Sequence, residues 1–305
     1  MESLRYSPAD MTCHSERTGF YYQGTWCAAT LYRPADAGDA VLPAILMVHG
    51  WGGTQDTLTV PFYEEFTRAG FAVMSFDYTG WGDSAGLPRH TISARGRVRE
   101  ADAALAFLKS RPGVDRNRIV VWGTSFGGGH AVELAAEHPE LLGAIAQVPM
   151  LDGLAAVRAV PLARLLRFGL YCLADLIKPG QPVYIPVVSA PGAFSSMDRD
   201  DAGKALALGE LSSGRAYDNR VAARSLMTMG PYRPFKRLKD IRVPTLLLGA
   251  TGDTVAPFVA DKIRRVDNPH LTLDTVDANH FEPYFEPVFS SVISKQLAFL
   301  KSLVP

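Results

Sequence analysis

Cysteine is scarce in this chain: Cys13, Cys27 and Cys172 form an odd, unclustered set without a C-x-x-C pair. That excludes a disulfide framework and a thiolate zinc site, and it fits a reducing compartment, so a cytoplasmic location is expected. An excess of charge is also lacking, since 31 Lys and Arg balance 31 Asp and Glu. Such a surface has no overall field to draw nucleic acid or an anionic membrane, and the expected partner is a small molecule. Long hydrophobic runs are missing too: the leucine-rich stretch 162–177 is short and carries Arg164 and Arg167, which excludes a membrane span. Residues 1–11 are polar and lack the apolar centre of a secretory signal. His14, His90, His130, His138 and His270 make no ligand set, so neither a metal nor a cofactor is expected. No internal repeat or low-complexity tract interrupts the chain.

What is present is a globular composition, 47% hydrophobic and 20% charged over 305 residues, enough for one large core carrying an insertion. Continuous apolar runs at residues 44–48, 71–76, 118–122, 144–148, 245–248 and 271–276 predict strands covered on both faces. Helix-like stretches at 62–69, 94–110, 128–138, 255–265 and 284–303 alternate with them, the βαβ rhythm of a mostly parallel sheet flanked by helices. Residues 19–22 and 26–32 predict a leading antiparallel hairpin. The rhythm stops after Met150 and resumes at Val243. Residues 1–150 and 243–305 are therefore expected to form the core, and the proline-rich interval 151–242 an inserted helical lid. Within it, leucines recur at near-helical spacing between Leu162 and Ile177, and Leu166, Leu170 and Phe194 are the expected walls of an apolar substrate pocket. The duller alternative is an amphipathic helix that only packs on the core.

The chemistry centres on Gly123-Thr124-Ser125-Phe126-Gly127, which follows one apolar run and opens a helix. A turn this tight needs glycine on both sides of the serine, and it thrusts the hydroxyl clear of the backbone as a candidate nucleophile. A serine needs a base, and His280, after the last strand, is the best placed. The imidazole in turn needs a carboxylate: Asp253 suits that role, with Asp152 as its rival. The oxyanion of a tetrahedral intermediate needs preorganised donors, for which the backbone N–H groups of Trp51 and Phe126 are the candidates. His49 and Asp83 are expected to brace their own loops. Arg158, Arg164 and Arg167 are expected on a solvated helix face, with carboxylate binding as the less favoured role.

The chain resembles the α/β-hydrolase superfamily over essentially its whole length. The resemblance is carried by His49-Gly50-Trp51-Gly52-Gly53, Phe76 to Ser84, Gly123 to Gly129, Val243 to Asp253 and Asn279-His280-Phe281. Gln147-Val148-Pro149, Tyr232-Arg233-Pro234 and His280-Phe281-Glu282-Pro283-Tyr284 are similar to the dienelactone-hydrolase-like and acetyl-xylan-esterase-like branch, and to polyketide-pathway thiohydrolases and acyltransferases. The resemblance implies a serine hydrolase for a carboxylic ester, thioester or lactone, with Ser125, Asp253 and His280 as triad and Trp51 and Phe126 at the oxyanion. Alternatives with the same fold are an acyltransferase, a carbon–carbon bond hydrolase, an aminopeptidase and a ligand-binding protein without turnover.

Overall fold

A computed structural model describes residues 13–178, 180–199 and 216–304, so the polar stretch 1–11 and Pro179 lie outside the described residues. The chain opens with β1 (Cys13–Tyr22) and β2 (Thr25–Pro34), antiparallel and joined through Gln23 and Gly24, both at positive φ. A two-residue turn of that kind matches the twist of its strands. There follow β3 (Leu42–Val48), α1 (Val60–Arg68), β4 (Ala72–Phe76), α2 (Ala94–Lys109), β5 (Val114–Thr124), α3 (Phe126–Glu137) and β6 (Gly143–Gln147). The eight-stranded sheet has the order β1-β2-β4-β3-β5-β6-β9-β10 and is parallel from β4 onward, with β9 at Thr245–Ala250 and β10 at Leu271–Val276.

Every residue of β4, β6 and β9 is buried, as strands covered on both faces require. On one face, Phe62 of α1 packs on Trp122 of β5, ring centroids 5.1 Å apart, and on Phe289 of the final helix. The other face carries α2 and α3, whose mutual contact closes the core. Sequence and structure differ mainly at element ends. The helix expected at 255–265 is only α6 (Ala260–Arg264), because residues 254–256 wrap around the Asp253 carboxylate. The last helix, α7, begins at Val288 rather than 284 and runs to Leu303, after a short 3-10 turn at Glu282–Tyr284.

Between β6 and β9 the chain forms α4 (Gly153–Arg158), α5 (Leu162–Ile177) and a small antiparallel pair, β7 (Tyr184–Ile185) with β8 (Val221–Ala222). None of these strands joins the main sheet. Among the described residues no helix is long and apolar enough to cross a membrane. One buried carboxylate ties α5 to the segment after β8. Asp175 accepts the Val183 N–H at 2.7 Å, the Arg224 N–H at 2.8 Å and the Arg224 guanidinium at 2.8 and 2.9 Å. Burial raises its carboxyl pKa, but the Arg224 and Val183 bonds outweigh it and hold the group below the ordinary value. A depressed native pKa means stabilisation that is complete above the unfolded value and lost as pH falls through the native one. Asp175→Ala is expected to cost about 3 kcal/mol at neutral pH, the low end for a broken buried pair. The low end applies because the Arg224 side chain stays 31% exposed. Urea unfolding at stepwise lower pH should show the gap to the native chain narrowing below about pH 4. A gap independent of pH would contradict this account.

Candidate active site

Ser125 sits between β5 and α3 at φ 56°, a left-handed conformation that a serine adopts only when its surroundings enforce it. Its N–H donates to the Gln147 carbonyl at 2.9 Å, and its carbonyl accepts the N–H groups of Gly128 at 3.0 Å and Met150 at 2.8 Å. The flanking glycines have no room for a side chain. A Cβ on Gly123 would lie 2.1 Å from the Gly127 carbonyl oxygen, and one on Gly127 would lie 2.2 Å from that of Val48. Beneath the turn runs a buried polar chain: Thr124 is bonded to Tyr284 and Gln147, Gln147 accepts from Gln296 at 2.6 Å, and Gln296 accepts from the Trp122 indole at 2.8 Å.

His280 lies with Nε2 2.9 Å from Ser125 Oγ and Nδ1 2.6 Å from Asp253 Oδ2. With the proton on Nδ1, facing the carboxylate, Nε2 is free to accept from the serine hydroxyl. The other Asp253 oxygen accepts the N–H groups of Val255 at 2.9 Å and Ala256 at 2.7 Å, so the carboxylate is fixed from both sides. The His280 loop is fixed in the same manner. Asn279 accepts from the Phe281 and Glu282 N–H groups at 2.9 and 3.0 Å, while Glu282 accepts the Asn279 N–H at 2.7 Å.

Asp152, the rival carboxylate, is elsewhere occupied. It caps α4 through the Ala155 N–H at 3.3 Å and pairs with Arg233 at 3.1 Å and Lys262 at 3.3 Å. Burial raises its carboxyl, but the bonds from Arg233, Ala155 and Lys262 prevail and hold it below the ordinary value. It thus joins α4 to the segment at Arg233 and to α6.

Phe126 is the first residue of α3, so its N–H has no partner within the helix. The loop at Trp51 passes directly beside it: a Cβ on Gly50 would meet Ser125 Cβ at 3.1 Å and Oγ at 3.6 Å. The Trp51 ring stands edge-on to that of Phe126, centroids 5.3 Å apart, and its indole donates to Ser196 at 3.1 Å. Below the loop, the buried His49 is bonded to Ser75 at 2.8 Å, and burial, reinforced by Arg97, pushes its pKa down to about 3. That neutral ring braces the loop as its sequence suggests. Asp83 lies 3.7 Å from the Arg17 guanidinium, and Asp77 holds the turn by accepting from the Gln55 backbone at 2.8 Å, the Gln55 amide at 2.9 Å and the Asp83 N–H at 2.9 Å. Burial pushes the Asp77 carboxyl up to about 6 against the pull of those bonds.

Above Ser125 opens a cavity of about 470 Å³ whose walls are mostly apolar. Trp51, Ser125 and Phe126 form its floor, and Leu165, Phe168 and Cys172 of α5 face it from across. Leu166 and Leu170, expected there, are instead 64% and 68% exposed and do not line it. They lie one step round the helix from Leu165, Phe168 and Cys172. Phe194 is not a wall either: it backs Phe168 and Tyr171, centroids 5.2 and 4.9 Å away, with the Arg167 guanidinium 3.8 Å above its own ring. Arg164 is paired with Asp198 rather than solvated. The residue that sequence reasoning missed is Arg97. It occupies a core position in the stripe Ala94, Arg97, Ala101, Ala104, Leu108 of α2, and that periodicity was the available signal.

The family profile described as serine aminopeptidase, S33, matches residues 40–277. The quorum-quenching protein AidA of Acinetobacter baumannii is 35% identical over 283 residues, 92% of each chain. A thiohydrolase of Eupenicillium brefeldianum is 27% identical over 236 residues, 72% of each chain. The crystal structure of the alpha/beta hydrolase GrgF from Penicillium sp. sh18 superposes with a TM-score of 0.75 at 22% identity, over 95% of this chain and 98% of that one. At that identity the likeness carries the fold alone.

The contact at Gly127 can be checked directly. Gly127→Ala is expected to destabilise by about 2 kcal/mol net, an overpacking cost of about 3 less the roughly 1 that alanine gains over glycine in a helix. Thermal unfolding measures it, and a variant as stable as the native chain would contradict the packing described.

Proposed function

Because the chain belongs to the serine aminopeptidase S33 family of α/β-hydrolases, we propose that it is a serine hydrolase. It cleaves a carboxylic ester, thioester or lactone with an apolar acyl group through an acyl intermediate on Ser125. One observation carries the reading: His280 bridges Asp253 and Ser125, at 2.6 and 2.9 Å, on the floor of an apolar cavity. As the Ser125 oxygen attacks the substrate carbonyl, His280 Nε2 takes its proton, and the Asp253 carboxylate stabilises the imidazolium that forms. The Trp51 and Phe126 N–H groups meet the developing oxyanion. The imidazolium then protonates the leaving oxygen or sulfur, and water, activated by the same imidazole, releases the acid. Residues 151–242 serve as the lid over this chemistry, with the inner face of α5 as the roof of the acyl pocket. The name of one relative, a thiohydrolase, supports the thioester part of this reading.

Ser125→Ala is expected to lower turnover of p-nitrophenyl esters by about 10⁴-fold or more, and Asp253→Asn by a similar factor. Asp152→Asn should leave turnover near the native value, because that carboxylate holds α4 and not the imidazole. Were Asp152→Asn the more damaging of the two, the assignment of the acid would be overturned.

The cavity sets the substrate preference. Each methylene buried in it contributes up to about 0.8 kcal/mol, or roughly fourfold in kcat/KM, so medium acyl chains should outrank acetyl. Leu165→Trp, which fills the cavity from α5, should shift the optimum to shorter chains. A panel of esters and acyl thioesters of graded length measures both effects. An acetyl optimum untouched by Leu165→Trp would contradict an acyl pocket beneath α5.

A further inference from the structure

Arg97 is 1% exposed, and the charge it carries there is one that packing alone does not require. Its guanidinium lies over Tyr78, 4.3 Å from the ring centroid, and near Trp81, at 5.1 Å. Among the described residues, Nε and Nη2 have no hydrogen-bond partner, and the Tyr78 hydroxyl and His130 Nε2 nearby are equally unsatisfied. The neighbouring Glu100 carboxylate accepts the Thr79 N–H at 2.6 Å instead. Burying a cation with most of its donors unmet is costly, and an apolar side chain of similar volume would cost less. Its one hydrogen bond among the described residues is from Nη1 to the Gly50 carbonyl, at 3.0 Å.

That carbonyl belongs to the same peptide group as the Trp51 N–H. The Gly50–Trp51 bond is not among the cis peptides, so the group is planar and trans, with C=O and N–H pointing in opposite directions. Arg97 does not line the cavity, whereas Trp51, Ser125 and Phe126 do. We infer that Arg97 is a positioning residue that acts through this peptide, holding the Gly50 carbonyl from behind so that the Trp51 N–H faces the oxyanion formed at Ser125. The inference rests on the serine-hydrolase reading proposed above.

Two physical effects follow from the arrangement. A charge-assisted bond to the carbonyl adds to the Gly53 N–H in fixing the rotation of the peptide plane, within a loop that glycine at positions 50, 52 and 53 makes easy to deform. The cation also polarises the peptide along its own dipole, which makes the N–H a stronger donor in a site with little water to screen it. The rest of the loop is held by further bonds. The Tyr217 hydroxyl donates to the Gly52 carbonyl at 3.0 Å, and the Gly53 N–H donates to the Gly50 carbonyl at 3.1 Å. The charge of Arg97 is felt around it, because it adds to the burial that holds His49 and His130 neutral.

The test compares Arg97→Met with Arg97→Lys in the full-length protein, measuring kcat and KM on the best ester, thermal stability, and affinity for two inhibitors. One inhibitor is a trifluoromethyl ketone, which becomes an anionic hemiketal on the serine. The other is the matching alcohol, which binds without forming one. Arg97→Met should lower kcat by about 10- to 100-fold with KM within about threefold, and weaken the ketone by the same factor while sparing the alcohol. Arg97→Lys, charged and long enough to reach Gly50, should recover most of the loss. If Arg97→Met does not fold, Arg97→Gln replaces it with the same expectation, since its amide is neutral and too short to reach. A folded neutral variant with native kcat, or one whose loss falls equally on ketone and alcohol, would overturn the inference while leaving the serine-hydrolase reading intact. Native protein whose turnover survives Ser125→Ala would sink that reading instead.

Discussion

Everything at the site depends on how closely β3 and the start of α3 approach each other. The Val48 carbonyl occupies the place where a Cβ of residue 127 would be, and the Gly127 carbonyl does the same to residue 123. With both flanks pressed in, Ser125 has no relaxed conformation available, and its φ of 56° is held by the bond it donates to Gln147 and the one it accepts from Met150. The same approach brings the loop after β3 against the serine, with a Cβ on Gly50 only 3.1 Å from Ser125 Cβ and the Trp51 ring edge-on to Phe126. A rigid parallel sheet is what makes such strain tolerable, because the strands feeding the turn are buried on both faces.

From this turn the remaining parts follow by topology. β9 and β10 pair in parallel and end beside one another, and Gly252 N–H bonds the Ala278 carbonyl at 2.9 Å across their ends. Asp253 and His280 therefore start from neighbouring strand ends. Turns that satisfy their own backbone then orient each side chain: Val255 and Ala256 hold the carboxylate, and Asn279 with Glu282 holds the histidine loop. The interval 151–242 stands apart from that logic. Its described part contributes no strand to the main sheet and is tied together by ionic contacts of its own, chiefly Asp175 with Arg224 and Arg164 with Asp198.

The mostly parallel sheet and the meeting of Ser125, Asp253 and His280 were legible in the sequence because each rests on a local and rigid signal. Continuous apolar runs have one use in a parallel sheet, and glycines on both sides of a serine have few uses in any fold. The pocket was less legible for a physical reason. Helix α5 carries leucines on two faces, so spacing alone does not say which stripe turns inward; Leu166 and Leu170 proved to be on the outside, and Leu165, Phe168 and Cys172 on the inside. Asp152 and Asp253 each follow a strand of the sheet, and tertiary partners far away in sequence separate them, Arg233 and Lys262 for Asp152 and His280 for Asp253. Arg97 lay hidden among Arg95 and Arg99, which look like a solvated face, although its place in the apolar stripe of α2 marked it as buried.

The central claim is that Ser125 is the group that attacks an acyl carbon, made nucleophilic by His280 and Asp253. Reaction with a fluorophosphonate bearing a medium alkyl chain, followed by intact-mass measurement and peptide mapping, tests it most directly. The account predicts a single adduct, carried by the peptide that contains Ser125 and absent when His280 is replaced by alanine. No adduct on the native protein, or an adduct on any other residue, would contradict it.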